Sequence, residues 1–591
     1  MSRLETSQQT HTLEDEAANA EAEKIPLKRE LEDKLGNSHV NLLPKKKLII
    51  TLVVNAFCLF VCFLDQTSPT VALPEIAKDL GAENSINWAG TSSLLANCVC
   101  QVLFGRFADI FGRKNMLLGS LIMLLVSNML CGFAQTGPQY YVFRAFAGIG
   151  VGGTQSMIMV ILSDVVTLKQ RGRFQGILGS AVGLGNAAGP LIMAAYVEHS
   201  TWRNFYRTIP PIMAVVIVFV FFIVEDRRKS TGPVLSTKEK WKKIDYVGIF
   251  FSTAGLTLLL IPISGGGSTY AWDSDLVIAM FVVGGVCTIV FLIAEWKIPE
   301  LPMIPIYVFK NLSLSFLLLS TFLYGIVHFG FLFIVSYYFQ LVKGQDAMHS
   351  AYYLLPLVLM QAFMSIAAGN IISWSGHWIH ILISGYSFWL TGCGMTLAWN
   401  ESTSTGMIVG TLLVMGVGIG FIFQPTMVAV QANATMAQRA VVIGTRNVLR
   451  AFGGAMGVAC ATLIISNSLL NEINKEMGHS VVPRSFLTDL KSNIYTKADL
   501  TGLDDAQRNV VRHMYMKSIR NVFYFTIPLL AICLIISLFV KDRGLQCLDQ
   551  QPEKKKENVS NDNSLSDHSL HTEQIGQAKE GVDQEKEKSN A

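Results

Sequence analysis

The chain reads as an all-α integral membrane protein with fourteen transmembrane helices. Three observations predict this. Of its 591 residues, 51% are hydrophobic and only 15% charged, where a soluble domain carries about 25% charged residues. Apolar runs of the ~20 residues that cross a bilayer core recur along the chain. A turn bounded by two glycines seven residues apart occurs twice, at Gly105–Gly112 and Gly369–Gly376.

The spans are expected near 48–69, 86–104, 115–134, 140–162, 174–196, 207–224, 246–264, 276–296, 314–338, 350–372, 379–399, 406–430, 442–466 and 521–540. An even number puts both tails on one side, and Lys and Arg in short loops decide which. Arg106, Arg113 and Lys114, then Lys169, Arg171 and Arg173, then the cations from Arg227 to Lys243, then Lys297, Lys310 and Arg439 share one side. The opposite short loops hold only Lys78, Arg203 and Lys343, with Arg207 at a span edge. Both tails are therefore expected in the cytoplasm. The loop 467–520 is expected outside, since long loops translocate largely regardless of charge.

The expected organisation is a polar tail at 1–44, a first six-helix half at 45–230, and a linker with two inserted helices at 231–310. A second half follows at 311–541, then a tail at 542–591. The first 44 residues have no apolar core of the kind a cleaved signal carries, so the first span should act as its own signal. Both tails lack apolar periodicity and read as disordered.

Several classes are excluded. A net charge of +4 implies no nucleic-acid surface. The ten cysteines fall almost all in apolar runs without paired spacing, so no disulfide framework or metal site is indicated. Phosphate-loop, His-Glu-x-x-His and Gly-x-Ser-x-Gly patterns are missing, so no cofactor and no catalytic residue is expected. The polar groups within spans are the candidates that remain, because charge there is expensive. Asp65 and Arg144 are the two charges placed deepest. Gln101, Gln155, Asn186, His328, Gln361 and Gln424 are weaker candidates for lining a cavity. Arg446 and Arg450, four apart near a cytoplasmic helix end, read as inner-interface anchors.

Four motifs carry a resemblance. Gly105-Arg-Phe-Ala-Asp-Ile-Phe-Gly-Arg-Lys114 resembles the signature loop between the second and third helices of the major facilitator superfamily, with Phe107 in place of Leu. Leu64-Asp-Gln-Thr-Ser-Pro-Thr-Val-Ala-Leu-Pro74 resembles the first-span motif of its fourteen-span drug:proton antiporters, departing at Ser68, Pro69 and Thr70. Arg144, Gly148 and Gly150 match the fourth-span pattern R-x-x-x-G-x-G. Gly185, Gly189 and Pro190 match part of the antiporter motif, whose final glycines are Met193 and Ala194 here.

The resemblance implies two six-helix halves plus two inserted helices. It implies that Asp65 and Arg144 couple transport to protons, and the two are expected to pair. Gly105, Asp109, Gly112, Arg113, Lys114 and Asp164 are expected to form a cytoplasmic latch, with Arg113 bonded to Asp164. The expected function is proton antiport that moves drugs, xenobiotics or cationic amphiphiles out of the cytosol. Vacuolar import of basic amino acids and a nutrient-sensing role are the alternatives. The expected partners are a small-molecule substrate, protons and the lipid bilayer. A monomer in the plasma or vacuolar membrane is expected.

Overall fold

A segment in hydrocarbon must satisfy its backbone internally, which leaves helices as the default for long apolar runs. A computed structural model describes residues 44–82, 85–86, 88–166, 168–224, 245–265, 271–297, 309–434, 438–477, 481–492, 502–542 and 544–545. The readings made of both tails and of the cations at 227–243 lie outside these residues. Regular structure among the described residues is helical throughout.

In chain order the helices are α1 Lys45–Thr67, α2 Pro69–Leu80, α3 Trp88–Phe111, α4 Arg113–Cys131, α5 Gly137–Val165, α6 Leu168–His199 and α7 Trp202–Ile223. The pair α8 Tyr246–Gly265 and α9 Asp275–Lys297 comes next. Then follow α10 Leu312–Tyr337, α11 Ala347–Ser375, α12 Ile379–Thr396, α13 Thr405–Ala432, α14 Arg439–Glu476, α15 Arg484–Ser492 and α16 Asp505–Phe539.

Among the described residues, twelve helices are long and apolar enough to cross a membrane. Each of them falls on one of the fourteen expected spans. The other two long helices, α3 and α12, lie at the second and eleventh expected spans. α3 is diluted by Asn97, Gln101, Arg106 and Asp109. α12 is short and carries His380, Ser384, Ser387 and Thr391. The protein is a multi-pass integral membrane protein.

Packing repeats along the chain. In the first set, α5 packs on α3 and α4, α1 on α6, and α4 on α7. In the second, α13 packs on α11 and α12, α10 on α14, and α12 on α16. The sets meet along two seams, α6 with α11 and α3 with α14. α8 and α9 form a hairpin, and α8 leans on α3 and α14 beside the second seam. Cys98, Leu260, Phe291 and Val448 make its small apolar core.

The repeated turn has one physical cause in both sets. Gly112 follows α3 with φ 99°, and Gly376 follows α11 with φ 75°. Residues with a Cβ rarely adopt that conformation. The outward face is apolar: Val215, Val218, Phe219 and Phe222 of α7 are all exposed, as a lipid-facing surface requires.

The segment 467–520 differs from its expected loop. α14 continues to Glu476, α15 fills 484–492, and α16 begins at Asp505 with a reciprocal cap between Asp504 and Gln507. Hydropathy marks only the part of a helix inside hydrocarbon, so it misses polar turns beyond the bilayer.

Candidate transport site

α1 breaks at Ser68 for a simple reason. Pro69 has no N–H, so it cannot bond the carbonyl of Asp65 four residues back. Two donors fill the vacated acceptor: Ser68 Oγ at 3.1 Å and Arg144 Nη2 at 3.4 Å. Arg144 Nη1 donates to both carboxylate oxygens of Asp65, at 3.0 and 3.1 Å. Asp65 is 0% exposed and Arg144 1%. A charge-assisted pair this dry is strong only while both members are present.

α5 reaches this position because two motif glycines remove side chains. A Cβ on Gly148 would collide with the Ser93 carbonyl on α3, and one on Gly150 would lie 2.8 Å from Leu124 N on α4. Arg144 then lies over the Tyr206 ring at 5.9 Å, and the Tyr206 hydroxyl shares a 2.8 Å hydrogen bond with Tyr140. That tyrosine pair was not foreseen. It joins α5 to α7 across 66 residues, with no local pattern to mark it.

α6 carries the antiporter-like glycines. A Cβ on Gly185 would lie 2.6 Å from Phe60 O, and one on Gly189 would lie 2.6 Å from Leu64 O. Both abut α1 just before its break, with Pro190 adjacent. A second row on α6 faces the opposite half. There a Cβ on Gly176 would lie 2.6 Å from Ser365 O, and one on Gly183 2.8 Å from the Ala362 Cβ, both on α11.

At the α3–α4 turn, Arg113 Nε lies 3.0 Å from Asp164 Oδ2 at the end of α5. Lys114 Nζ donates to Phe221 O at 2.6 Å. Gly105 is buried on α3. The Asp109 side chain lies outside the described residues. Arg171, counted above as a loop cation, is buried and donates to Ser163 O at 2.6 Å.

The cavity candidates separate into groups. Gln101 Nε2 donates to Asn97 Oδ1 at 2.6 Å and to Gln155 Oε1 at 3.1 Å, tying α3 to α5. His328 stacks on Tyr324 with centroids 5.3 Å apart, and its buried Nδ1 has no partner. Gln424 is buried with Nε2 unpartnered, and Gln361 is buried. Asn186 is half-buried on α6.

The structure corrects one reading. Arg446 and Arg450 are not interface anchors; they are buried inside the second set. They lie about two and three turns along α14 from its start at Arg439. Four-residue spacing on an otherwise apolar helix was the available signal.

A family model, Major Facilitator Superfamily, matches residues 56–458. The chain belongs to that superfamily; it is a transporter and not an enzyme. It is 39% identical to citrate exporter 1 of Yarrowia lipolytica over 520 residues, covering 88% of this chain and 76% of that protein. It is 29% identical to the efflux pump dotC of Dothistroma septosporum (strain NZE10 / CBS 128990) over 426 residues, 72% and 73% of the two chains. Among solved structures, the proton:xylose symporter XylE shares the fold with TM-score 0.54 at 10% identity, covering 86% of this chain and 99% of that one.

Proposed function

We propose that this chain exports small organic solutes from the cytosol in exchange for protons. The observation that carries this reading is the buried Asp65–Arg144 pair at the α1 break. Fourteen spans with both termini in the cytosol are part of the proposal. So are two six-helix halves that rock about a central cavity along the α6–α11 and α3–α14 seams.

The geometry supports a coupling step. A proton taken up by Asp65 removes its charge and weakens the hold on Arg144. The Asp65 carbonyl loses its Arg144 contact at the same time, which loosens the junction between α1 and α2. Gly185 and Gly189 of α6 press on this part of α1, so the change is felt on a helix that also forms a seam. The Arg113–Asp164 pair is 31% and 39% exposed. Such pairs contribute about 0–1 kcal/mol, which suits a latch that opens in each cycle.

The two relatives point to different cargo, an organic acid and an efflux substrate. The test is solute-driven proton movement in proteoliposomes. Citrate, a cationic dye, lysine, arginine and histidine are supplied in parallel. We expect proton flux with at least one solute, abolished by Asp65→Asn. Flux with the basic amino acids alone would favour vacuolar-type exchange. Silence with every solute would reject transport coupling and favour sensing.

A further inference from the structure

α14 carries two guanidinium groups one turn apart in the interior of the second half. Arg446 is 2% exposed and Arg450 8%. Buried cations are nearly always paired with an acid. Neither of these forms a salt bridge with any described residue. Arg446 donates to Phe423 O at 2.6 Å and to Asn447 Oδ1 at 3.1 Å, and its Nε has no partner. Arg450 makes no hydrogen bond with the described residues. It rests on the rings of Phe329 and Phe423 at 5.7 and 5.5 Å, with its Nε also buried and unpartnered.

Further unpartnered donors surround them. Tyr324 packs against Phe423, His328 and Trp389, with centroids 6.3, 5.3 and 5.2 Å apart. The Tyr324 hydroxyl and the Trp389 Nε1 are buried without partners. The site therefore presents two full positive charges and several spare N–H and O–H groups, and no acid among the described residues forms a salt bridge with either arginine.

Its position suits transport. Arg450 lies about 14 Å along α14 from Val441, the start of its apolar stretch. It also borders the α3–α14 seam, where Cys98 Sγ of α3 lies 3.9 Å from Val448 O. Facilitator cavities open at such seams near mid-membrane.

We infer that Arg446 and Arg450 form the binding site for a small organic anion with two or more carboxylates. Side chains four apart on a helix start about 5–6 Å from each other. Each guanidinium takes one carboxylate through two parallel hydrogen bonds. Phe423 and Phe329 hold the planes in place and keep water out. The bound anion supplies the missing negative charge, so the empty site is the strained one. This names the cargo class of the transporter proposed above and rests on that reading only for the use of the site.

The test is equilibrium binding to the purified full chain in lipid nanodiscs, which needs no proton coupling and so fails separately from transport. Radiolabelled citrate is the probe; succinate, acetate and tetraphenylphosphonium are competitors. We expect citrate to bind, succinate to displace it, and acetate and the cation to compete at least tenfold more weakly. Arg446→Gln and Arg450→Gln should each weaken citrate binding tenfold or more. Lys at either position, which keeps the charge but not the fork, should restore part of it. Removing an unbalanced charge should leave thermal stability of the ligand-free protein unchanged or higher. Wild-type-like citrate binding in both Gln variants, no citrate binding to the wild type, or preferential capture of the cation would overturn the assignment. Loss of ligand-free stability in both variants would make the arginines structural and also overturn it.

Discussion

At the scale of single residues, the pair Asp65–Arg144 decides most. Removing one partner of a buried pair typically costs about 3–5 kcal/mol, because the survivor is left charged and dry. Asp65→Asn should therefore lower the melting temperature in detergent. The charge-free double variant Asp65→Asn/Arg144→Gln should recover much of that loss without recovering proton coupling. Equal melting temperatures for wild type and Asp65→Asn would mean the pair is not held as described. The exposed pair Arg113–Asp164 should behave differently. Arg113→Glu should cut transport with a stability change of roughly 1 kcal/mol or less, and Arg113→Glu/Asp164→Arg should restore transport. A charge swap that stays inactive would remove the latch. Asp65 and Arg144 were legible in the sequence because a charge in an apolar run stands out. Their support was not: Tyr140 and Tyr206 meet across 66 residues, and the role of Pro69 emerges only once Arg144 is seen on the freed carbonyl. Arg446 and Arg450 were visible as residues, but their depth was misjudged.

At the scale of elements, glycine spacing governs how helices approach. On α6, Gly176 faces the Ser365 carbonyl of α11, where a Cβ would sit 2.6 Å away. The obstacle is backbone and cannot swing aside. Gly176→Val should push the two helices apart at a cost of about 1–3 kcal/mol and slow transport severalfold. Gly119→Ala on α4, where a Cβ meets nothing within 4 Å, should leave transport unchanged. Matched rates for Gly176→Val and wild type would show that the α6–α11 seam need not close tightly. The motif glycines were legible as small residues at helical spacing, but not which neighbour each one admits. The helix ends were legible to a few residues inside the bilayer and not outside it. Thus α14 and α16 run well past their expected spans, because polar helical turns carry no hydropathy signal.

At the scale of the whole molecule, the chain is a superfamily transporter in which the packing pattern of α1 to α7 recurs in α10 to α16. The repeat was legible from two glycine-bounded turns. The structure adds that Gly112 and Gly376 both adopt a positive φ directly after a seam helix, which is why glycine recurs there while the charges around it do not. Ser373 stands where Asp109 stands, and its hydroxyl accepts from Arg173 N of the other half at 2.9 Å. The second turn thus helps hold the halves together without a charge pair. Cargo was the least legible property, since motifs for coupling are shared by transporters of unlike solutes. The central claim is that Asp65 couples solute movement to protons. It is tested most directly by comparing two modes in the same proteoliposomes, solute–solute exchange and solute accumulation driven by a pH gradient. The account predicts that Asp65→Asn keeps exchange and loses pH-driven accumulation. Full pH-driven accumulation in Asp65→Asn would contradict it.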